Sequence, residues 1–451
     1  MRTILGELSE IVAGRVDTDP DVMVAYSRDQ CLTAPAGAPL AVVHPTSTAE
    51  VSQVLRLATR HRLPVVTRGA GSGLAGGANA IDGCIVLSLD AMNRAPLIDA
   101  VARTATVEAG VLNADLDAAA RRHGLFYAPD PGSRSISTIG GNLATNAGGM
   151  CCTKYGVTAD HALCLTAVLA DGTVMTTGRA TLKDVAGLDL VRLLVGSEGT
   201  LAVITEAVVR LRPEPDGVST MAAFFATPHE AIEVVQALTD IGPACVEIMD
   251  RTTIAAVNDM THMGLDPDAG ALLLVQCDGR GADRAAADCV AVMQRGGARD
   301  VAITHDPAEG AAFMRARASA YPALEQRGST MLDDVCVPVH ALPRMLSLVD
   351  QVGADHELTI GTFGHAADGN LHPTIVYDAA SPAELQRATE AFDAIVRGAL
   401  ALGGTISGEH GIGALKTGHL GDQLAHAERD VMQRVRSALD PAGILNPGRA
   451  Y

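Results

Sequence analysis

No apolar run in this 451-residue chain approaches the roughly 20 residues that a membrane-spanning helix requires. The start, Met1-Arg2-Thr3-Ile4-Leu5-Gly6-Glu7, lacks the apolar core of a signal peptide. The expectation is a cytoplasmic protein that is not integral to a membrane. Cationic side chains are also scarce: 34 Lys and Arg stand against 52 Asp and Glu, a net charge of −18. Such a surface repels phosphate backbones and excludes nucleic acid as an expected partner, while leaving room for a locally positive site. None of the nine cysteines forms a Cys-x-x-Cys pair, and no run has iron–sulfur ligand spacing. Cys151 and Cys152 are adjacent, a geometry in which disulfides rarely form, so reduced, mostly buried thiols are expected. No internal repeat and no low-complexity tract is present.

What is present is a globular composition, 48% apolar and 19% charged, with 46 glycines. The length implies two or three domains. Residues 1–213, with a core over 36–213, alternate short β-branched runs with amphipathic helices. Ala41–Pro45 reads as a strand, followed by a helix over Thr48–His61 that opens on a Thr46-Ser47-Thr48…Glu50 capping pattern. Leu63–Thr67 reads as a strand and Asn113–His123 as a helix. Leu163–Leu169, Asp171-Gly172 and Thr173–Thr177 read as a hairpin closed by a type I′ turn. Residues 214–401 carry longer helices, over Pro228–Ile241, Asp283–Arg295 and Pro382–Leu402, alternating with strands such as Gly270–Gln276. That pattern predicts an α+β domain on an antiparallel sheet. Residues 402–451 are glycine-punctuated and then helical over Glu428–Leu439.

Four glycine-rich stretches fall in the first region. Arg68-Gly69-Ala70-Gly71-Ser72-Gly73-Leu74-Ala75-Gly76-Gly77 places five glycines in nine positions directly after a predicted strand. Backbone N–H groups there can converge on an anion without Cβ clashes. The stretch misfits the Rossmann fingerprint, because no long helix follows it. Pro129–Ser133 leads to Ser137–Gly149, where glycine pairs frame small polar residues. Lys154-Tyr155-Gly156 and Gly196–Thr205 follow. An ordinary glycine-rich turn explains one such stretch but not four.

This set resembles the FAD-binding domain of the vanillyl-alcohol oxidase and p-cresol methylhydroxylase superfamily. The resemblance implies that Arg68, Gly69, Ala70, Gly71, Ser72 and Gly73 hold the FAD pyrophosphate. It implies that Ser133, Thr138, Gly141, Asn142 and Asn146 lie along the cofactor, with Ile204 toward the adenine. It adds Pro131, Gly132, Gly149, Tyr155, Gly156, Glu198 and Gly199 to the cofactor-binding set. Many relatives carry a flavin-linked histidine in the first loop. Ser72 or a neighbour stands in its place, so the implied FAD is noncovalent.

A second constellation lies further on. In Ile360–Val376, Asp368-Gly369-Asn370 is turn chemistry between two β-prone runs, so His365 and His372 flank a hairpin turn. Residues opposed across antiparallel strands can share one ion, and imidazole suits borderline divalent metals such as zinc. Two histidines make half a site. Ser407-Gly408-Glu409-His410-Gly411-Ile412-Gly413 can supply the rest, with Glu409 turned to the metal and His410 to a substrate if consecutive side chains diverge. The pair of motifs resembles the branch holding D-lactate dehydrogenases, glycolate oxidase flavoprotein subunits and D-2-hydroxyglutarate dehydrogenases. Ala367 departs from the glycine usual before the Asp.

The resemblance implies His365, His372 and Glu409 as ligands of a divalent metal, zinc or manganese, and His410 as base. It makes Arg317, in Phe313–Pro322, the arginine that binds the substrate carboxylate, while Arg315 reads as a solvated helix face. Leu332 stands where dicarboxylate-oxidising relatives carry a lysine, which favours a monocarboxylate. The expected fold is α+β: a two-part FAD-binding domain of the p-cresol methylhydroxylase type, a substrate (cap) domain on an antiparallel sheet, and a C-terminal helical segment. The expected activity is FAD-dependent oxidation of a small D-2-hydroxy acid, D-lactate or glycolate, to the 2-keto acid, with hydride passing to flavin N5. Alternatives are D-2-hydroxyglutarate oxidation, aldonolactone or aryl-alcohol oxidation, a catalytically silent flavoprotein subunit, and a zinc hydrolase; the last leaves the first region unexplained. The electron acceptor falls among oxygen, a quinone, a cytochrome, an electron-transfer flavoprotein and an iron–sulfur subunit. A homodimer is among the assemblies allowed.

Overall fold

The computed structural model describes residues 2–181 and 183–451. The chain divides into two compact units. One holds the chain through Gly148, then Gly156–Glu214 and Glu409–Tyr451. The other holds Gly149–Tyr155 and Pro215–Gly408.

The first unit contains two sheets. In the smaller, Ala41–Val43, Ile85–Ser88 and Val65–Arg68 run parallel, with Val16–Asp17 antiparallel at one edge. Two of these strands are joined by the helix Thr48–His61. Its start is capped as the sequence predicts. Ser47 accepts from the Glu50 N–H, and the Glu50 carboxylate accepts from the Thr46 N–H at 2.7 Å and from Arg15. Val51, Val54, Leu55, Leu57 and Ala58 bury the helix's apolar stripe against Val43, Val65, Ile85 and Leu87. Arg62, left-handed at φ 52°, stops the helix and turns the chain into Val65–Arg68.

The larger sheet is antiparallel, in the order Leu97–Asp99, Thr104–Glu108, Val203–Arg210, Ala162–Val168, Val174–Gly178. Its last hairpin corrects the expected turn. Leu169 and Thr173 close a three-residue loop, and only Gly172 has positive φ, +81°. A type I′ turn needs two such residues; here a type I turn ends in a left-handed glycine.

The second unit is built on an eight-stranded antiparallel sheet. At its centre Cys245–Asp250 pairs with Ala271–Asp278 on one side and Thr359–His365 on the other, and Thr359–His365 pairs with Asn370–Tyr377. Helices Arg251–Thr261, Pro307–Ala318 and Ala320–Glu325 contribute Ile254, Val257, Ala316, Ala320 and Leu324 to a core with Met249, Leu272, Leu274 and Phe363. The helix expected over Pro228–Ile241 is two, Pro228–Glu233 and Val235–Ile241. Val234 between them keeps right-handed helical angles, so only the hydrogen-bond register slips. The expected α+β class, with an antiparallel second sheet, matches this architecture.

Candidate active site

The loop after Val65–Arg68 is shaped by what crowds it. A Cβ on Gly69 would lie 2.3 Å from Thr138 Oγ1, and one on Gly71 (φ +71°) would lie 2.0 Å from the Arg68 guanidinium. Arg68 turns back under the loop. Its Nη1 donates to the Arg28 carbonyl at 2.8 Å, and its guanidinium carbon stands 5.7 Å from the Tyr26 ring centroid. The Gly76 N–H turns to the buried Asp29 carboxylate. None of the backbone N–H groups of Ala70–Ala75 and Gly77 has a protein acceptor among the described residues. Seven such donors, on a loop with little side-chain bulk, make a cradle that fits a pyrophosphate.

The neighbouring helix Ile139–Thr145 is capped by Thr138, which accepts from the Gly141 N–H. Two buried donors there, Asn142 Nδ2 and Ser137 Oγ, have no partner among the described residues. A buried amide without a partner costs about 1–3 kcal/mol, which a cofactor acceptor would offset. Asn146 is left-handed at φ 51° and accepts from the Ala159 N–H. Pro131 and Ser133 close a turn through their carbonyls, beside Gly132. Ile204 is buried in Val203–Arg210, opposite Ala167. The donors and open backbone fit an FAD. Replacing Gly69 by Val should therefore weaken FAD binding by about tenfold or more, equivalent to ~1.4 kcal/mol; flavin-to-protein absorbance after dialysis reads this directly.

Five expected cofactor residues have other places in their own units. Glu198, at φ 50° and nearly buried, accepts from the Ile412 N–H at 2.8 Å and the Gly413 N–H at 2.7 Å. Burial pushes its carboxyl above the usual range, against the pull of those two N–H groups. Glu198 thereby anchors the loop that follows His410, and Gly199 (φ +71°) completes that turn. Gly149 and Tyr155 belong to the second unit, where the Tyr155 hydroxyl donates to Asp278 at 2.7 Å and Lys154 pairs with the same carboxylate. Gly156 (φ +83°) packs on Asp160, in the first unit.

The histidine hairpin lies wholly in the second unit. His365 pairs with Asn370, and His372 with Phe363. The two histidines are therefore diagonal neighbours on one face, not directly opposed as expected, because the loop holds four residues (366–369) where a two-residue turn at Asp368-Gly369 would have set His365 opposite His372. Their rings stand edge to face at 5.2 Å and are almost fully buried. Each Nδ1 faces a buried carboxylate. His365 Nδ1 lies 2.7 Å from Glu247 Oε1, and His372 Nδ1 lies 3.7 Å from Asp334 Oδ1. The carboxylate hydrogen-bonded to His365 Nδ1 leaves Nε2 of that ring as the ligating nitrogen, the arrangement found behind metal-bound imidazoles, whereas the 3.7 Å at His372 is an ion-pair distance and not a hydrogen bond. The donor set thus fits a borderline divalent cation.

Arg317, on the helix Pro307–Ala318, is buried on the same sheet face. Its Nε lies 2.7 Å from Glu247 Oε2, a close ion pair rather than an aligned hydrogen bond, and its guanidinium carbon is 4.5 Å from the Phe363 ring centroid. Breaking a buried pair of this kind costs about 3–5 kcal/mol. Arg315 is exposed on the other side of the helix, the solvated position expected for it.

Asp334 has a second task. Its Oδ1 accepts from Asn370 Nδ2 at 2.8 Å, and its Oδ2 accepts from Ser407 Oγ at 2.8 Å and the Gly408 N–H at 2.9 Å. It ties the hairpin to the segment that enters Glu409 and His410. Those two side chains do not diverge as expected. The chain bends here, and His410 Nε2 lies 3.7 Å from Glu409 Oε1.

Sequence reasoning missed Glu247 and Asp334. The available signals were an acid inside the apolar strand Cys245-Val246-Glu247-Ile248-Met249 and the Asp333-Asp334 pair ahead of Val335-Cys336-Val337.

A parallel and an antiparallel sheet around a bare glycine cradle, followed by an antiparallel-sheet unit with paired buried histidines, define a flavin-linked oxidoreductase. Residues 39–178 match the family described as "FAD binding domain", and residues 214–450 match "FAD linked oxidases, C-terminal domain". The chain is 40% identical over 418 residues to the glycolate oxidase subunit GlcD of Bacillus subtilis (strain 168), covering 92% of this chain and 89% of that protein. It is 35% identical over 455 residues to a D-lactate dehydrogenase of Archaeoglobus fulgidus, covering 99% and 98%. A structure of p-cresol methylhydroxylase with substrate bound superposes with a TM-score of 0.85 at 19% identity, over 100% of this chain and 96% of that one, which shows a shared fold. The chain belongs to the FAD-linked oxidases, and it is an FAD-linked oxidoreductase.

Proposed function

We propose that this enzyme oxidises a small D-2-hydroxy acid, D-lactate or glycolate, to the 2-keto acid. The observation that carries the reading is the pair of buried imidazoles, His365 hydrogen-bonded through Nδ1 to Glu247 and His372 near Asp334, on the sheet face that also carries Arg317. The proposed cation ligands are His365 and His372 through Nε2, with Glu409. Gly408, held by Asp334, precedes Glu409 by one peptide bond. Noncovalent FAD, held along Ala70–Gly77, would supply the two-electron acceptor for the hydride from C2. A divalent cation would lower the pKa of the substrate hydroxyl and fix the chelated acid in place.

The protein's own groups do the rest. Arg317 takes the substrate carboxylate through its terminal nitrogens. His410 accepts the hydroxyl proton, a role suited to an imidazole near neutral pH. One proton and one hydride thus leave the alcohol, and the C2–O bond becomes a carbonyl. Leu332, an apolar residue paired with Thr374, favours a substrate without a second carboxylate. GlcD is named as a subunit in its own enzyme, which supports electron delivery through a partner.

Anaerobic mixing with a panel of D- and L-2-hydroxy acids tests the reading. D-lactate or glycolate should bleach the flavin, and L-lactate and D-2-hydroxyglutarate should do so far more slowly. Bleaching by none of the panel would overturn it.

A further inference from the structure

We propose that Glu247 is a positioning residue that sets two groups at once: the nitrogen His365 offers to the cation, and the edge Arg317 offers to the substrate carboxylate. This rests on the reading of His365 as a ligand and Arg317 as the carboxylate binder.

Glu247 is completely buried, and the residues on either side of it in its strand, Val246 and Ile248, are apolar. Nothing in core packing requires a carboxylate there, and burying an ion is expensive unless its partners are close. Two are. The register sets Glu247 directly opposite His365, so the side chains leave the sheet on the same face. Glu247 Oε1 then meets His365 Nδ1 at 2.7 Å, and Oε2 meets Arg317 Nε at 2.7 Å. The two oxygens of one carboxylate therefore serve two different groups.

The consequences follow from the shapes of those groups. A carboxylate at Nδ1 holds the imidazole proton there and leaves the Nε2 lone pair for a cation. A guanidinium is planar and rigid, so fixing its Nε edge and resting its face on Phe363 determines where both terminal nitrogens point. Phe363 also lies 5.5 Å from the His372 ring, so the same aromatic ring borders the second proposed ligand. Cation affinity and carboxylate affinity thereby depend on one side chain.

The test uses FAD-loaded protein stripped of metal, titrated with zinc or manganese by calorimetry and then assayed with D-lactate at saturating cation. Glu247→Ala should weaken cation binding by about 10–100-fold and raise KM by about tenfold or more, with flavin content unchanged. Glu247→Gln offers one neutral oxygen to two N–H donors, so it should fall between the parent and the alanine variant on both readouts. A Glu247→Ala protein with cation affinity and KM both within about twofold of the parent would overturn the proposal. If that variant does not fold, parent-like values in Glu247→Gln overturn it instead. His372→Ala in the same titration separates the two levels of inference. Should it bind cation as well as the parent, the ligand assignment itself fails. Should it lose the cation while Glu247→Ala keeps both constants, only the role of Glu247 falls.

Discussion

Replacing His410 by Ala should leave the FAD bound and slow substrate-driven flavin bleaching by roughly 10²–10⁴-fold, the usual worth of a positioned general base. The reason is chemical. Loss of hydride from C2 without loss of the hydroxyl proton would leave a protonated carbonyl, a strong acid with no acceptor. Glu198 holds the N–H groups of Ile412 and Gly413, and Asp334 holds that of Gly408. The five-residue turn carrying the imidazole is thus fastened at both ends by buried carboxylates. Flavin content and anaerobic bleaching rate are measured on the same sample. A variant with full flavin and near-parent bleaching removes His410 from the mechanism.

Chelation should have an effect of comparable size. Stripping a divalent cation is expected to slow bleaching by at least about 10²-fold, since such an ion contributes several kcal/mol of charge stabilisation at the reacting oxygen. Zinc or manganese should restore the rate in the parent, and neither should restore it in His372→Ala. Fully active protein with no bound metal would refute the ligand assignment, while leaving the FAD-linked family intact.

Much of this was legible in the chain itself. The cradle at Ala70–Gly77 follows from glycine spacing after a strand, because glycine alone admits the positive φ and close approaches seen at Gly69 and Gly71. The hairpin at Asp368-Gly369-Asn370 is likewise written in turn chemistry. The errors came where one residue's backbone angles or register decided the outcome. Asp171 stays out of the left-handed region, so the turn beside it is type I. The hairpin loop is longer than a tight turn, so His365 and His372 meet diagonally.

Glu247 and Asp334 were illegible for a different reason. Glu247 lies 118 residues from His365, and Asp334 lies 36 from Asn370 and 74 from Gly408. No local periodicity links such positions.

The amino-acid sequence by itself therefore determined the parts whose chemistry is local: bare backbone donors in a glycine run, capped helices, a turn with a histidine on either side, and a histidine following a glutamate. Only the tertiary structure decided which carboxylate stands behind each imidazole and behind the arginine. That choice depends on strand register across a sheet assembled from distant segments, and register is set by the packing of the whole buried face rather than by any short stretch of chain.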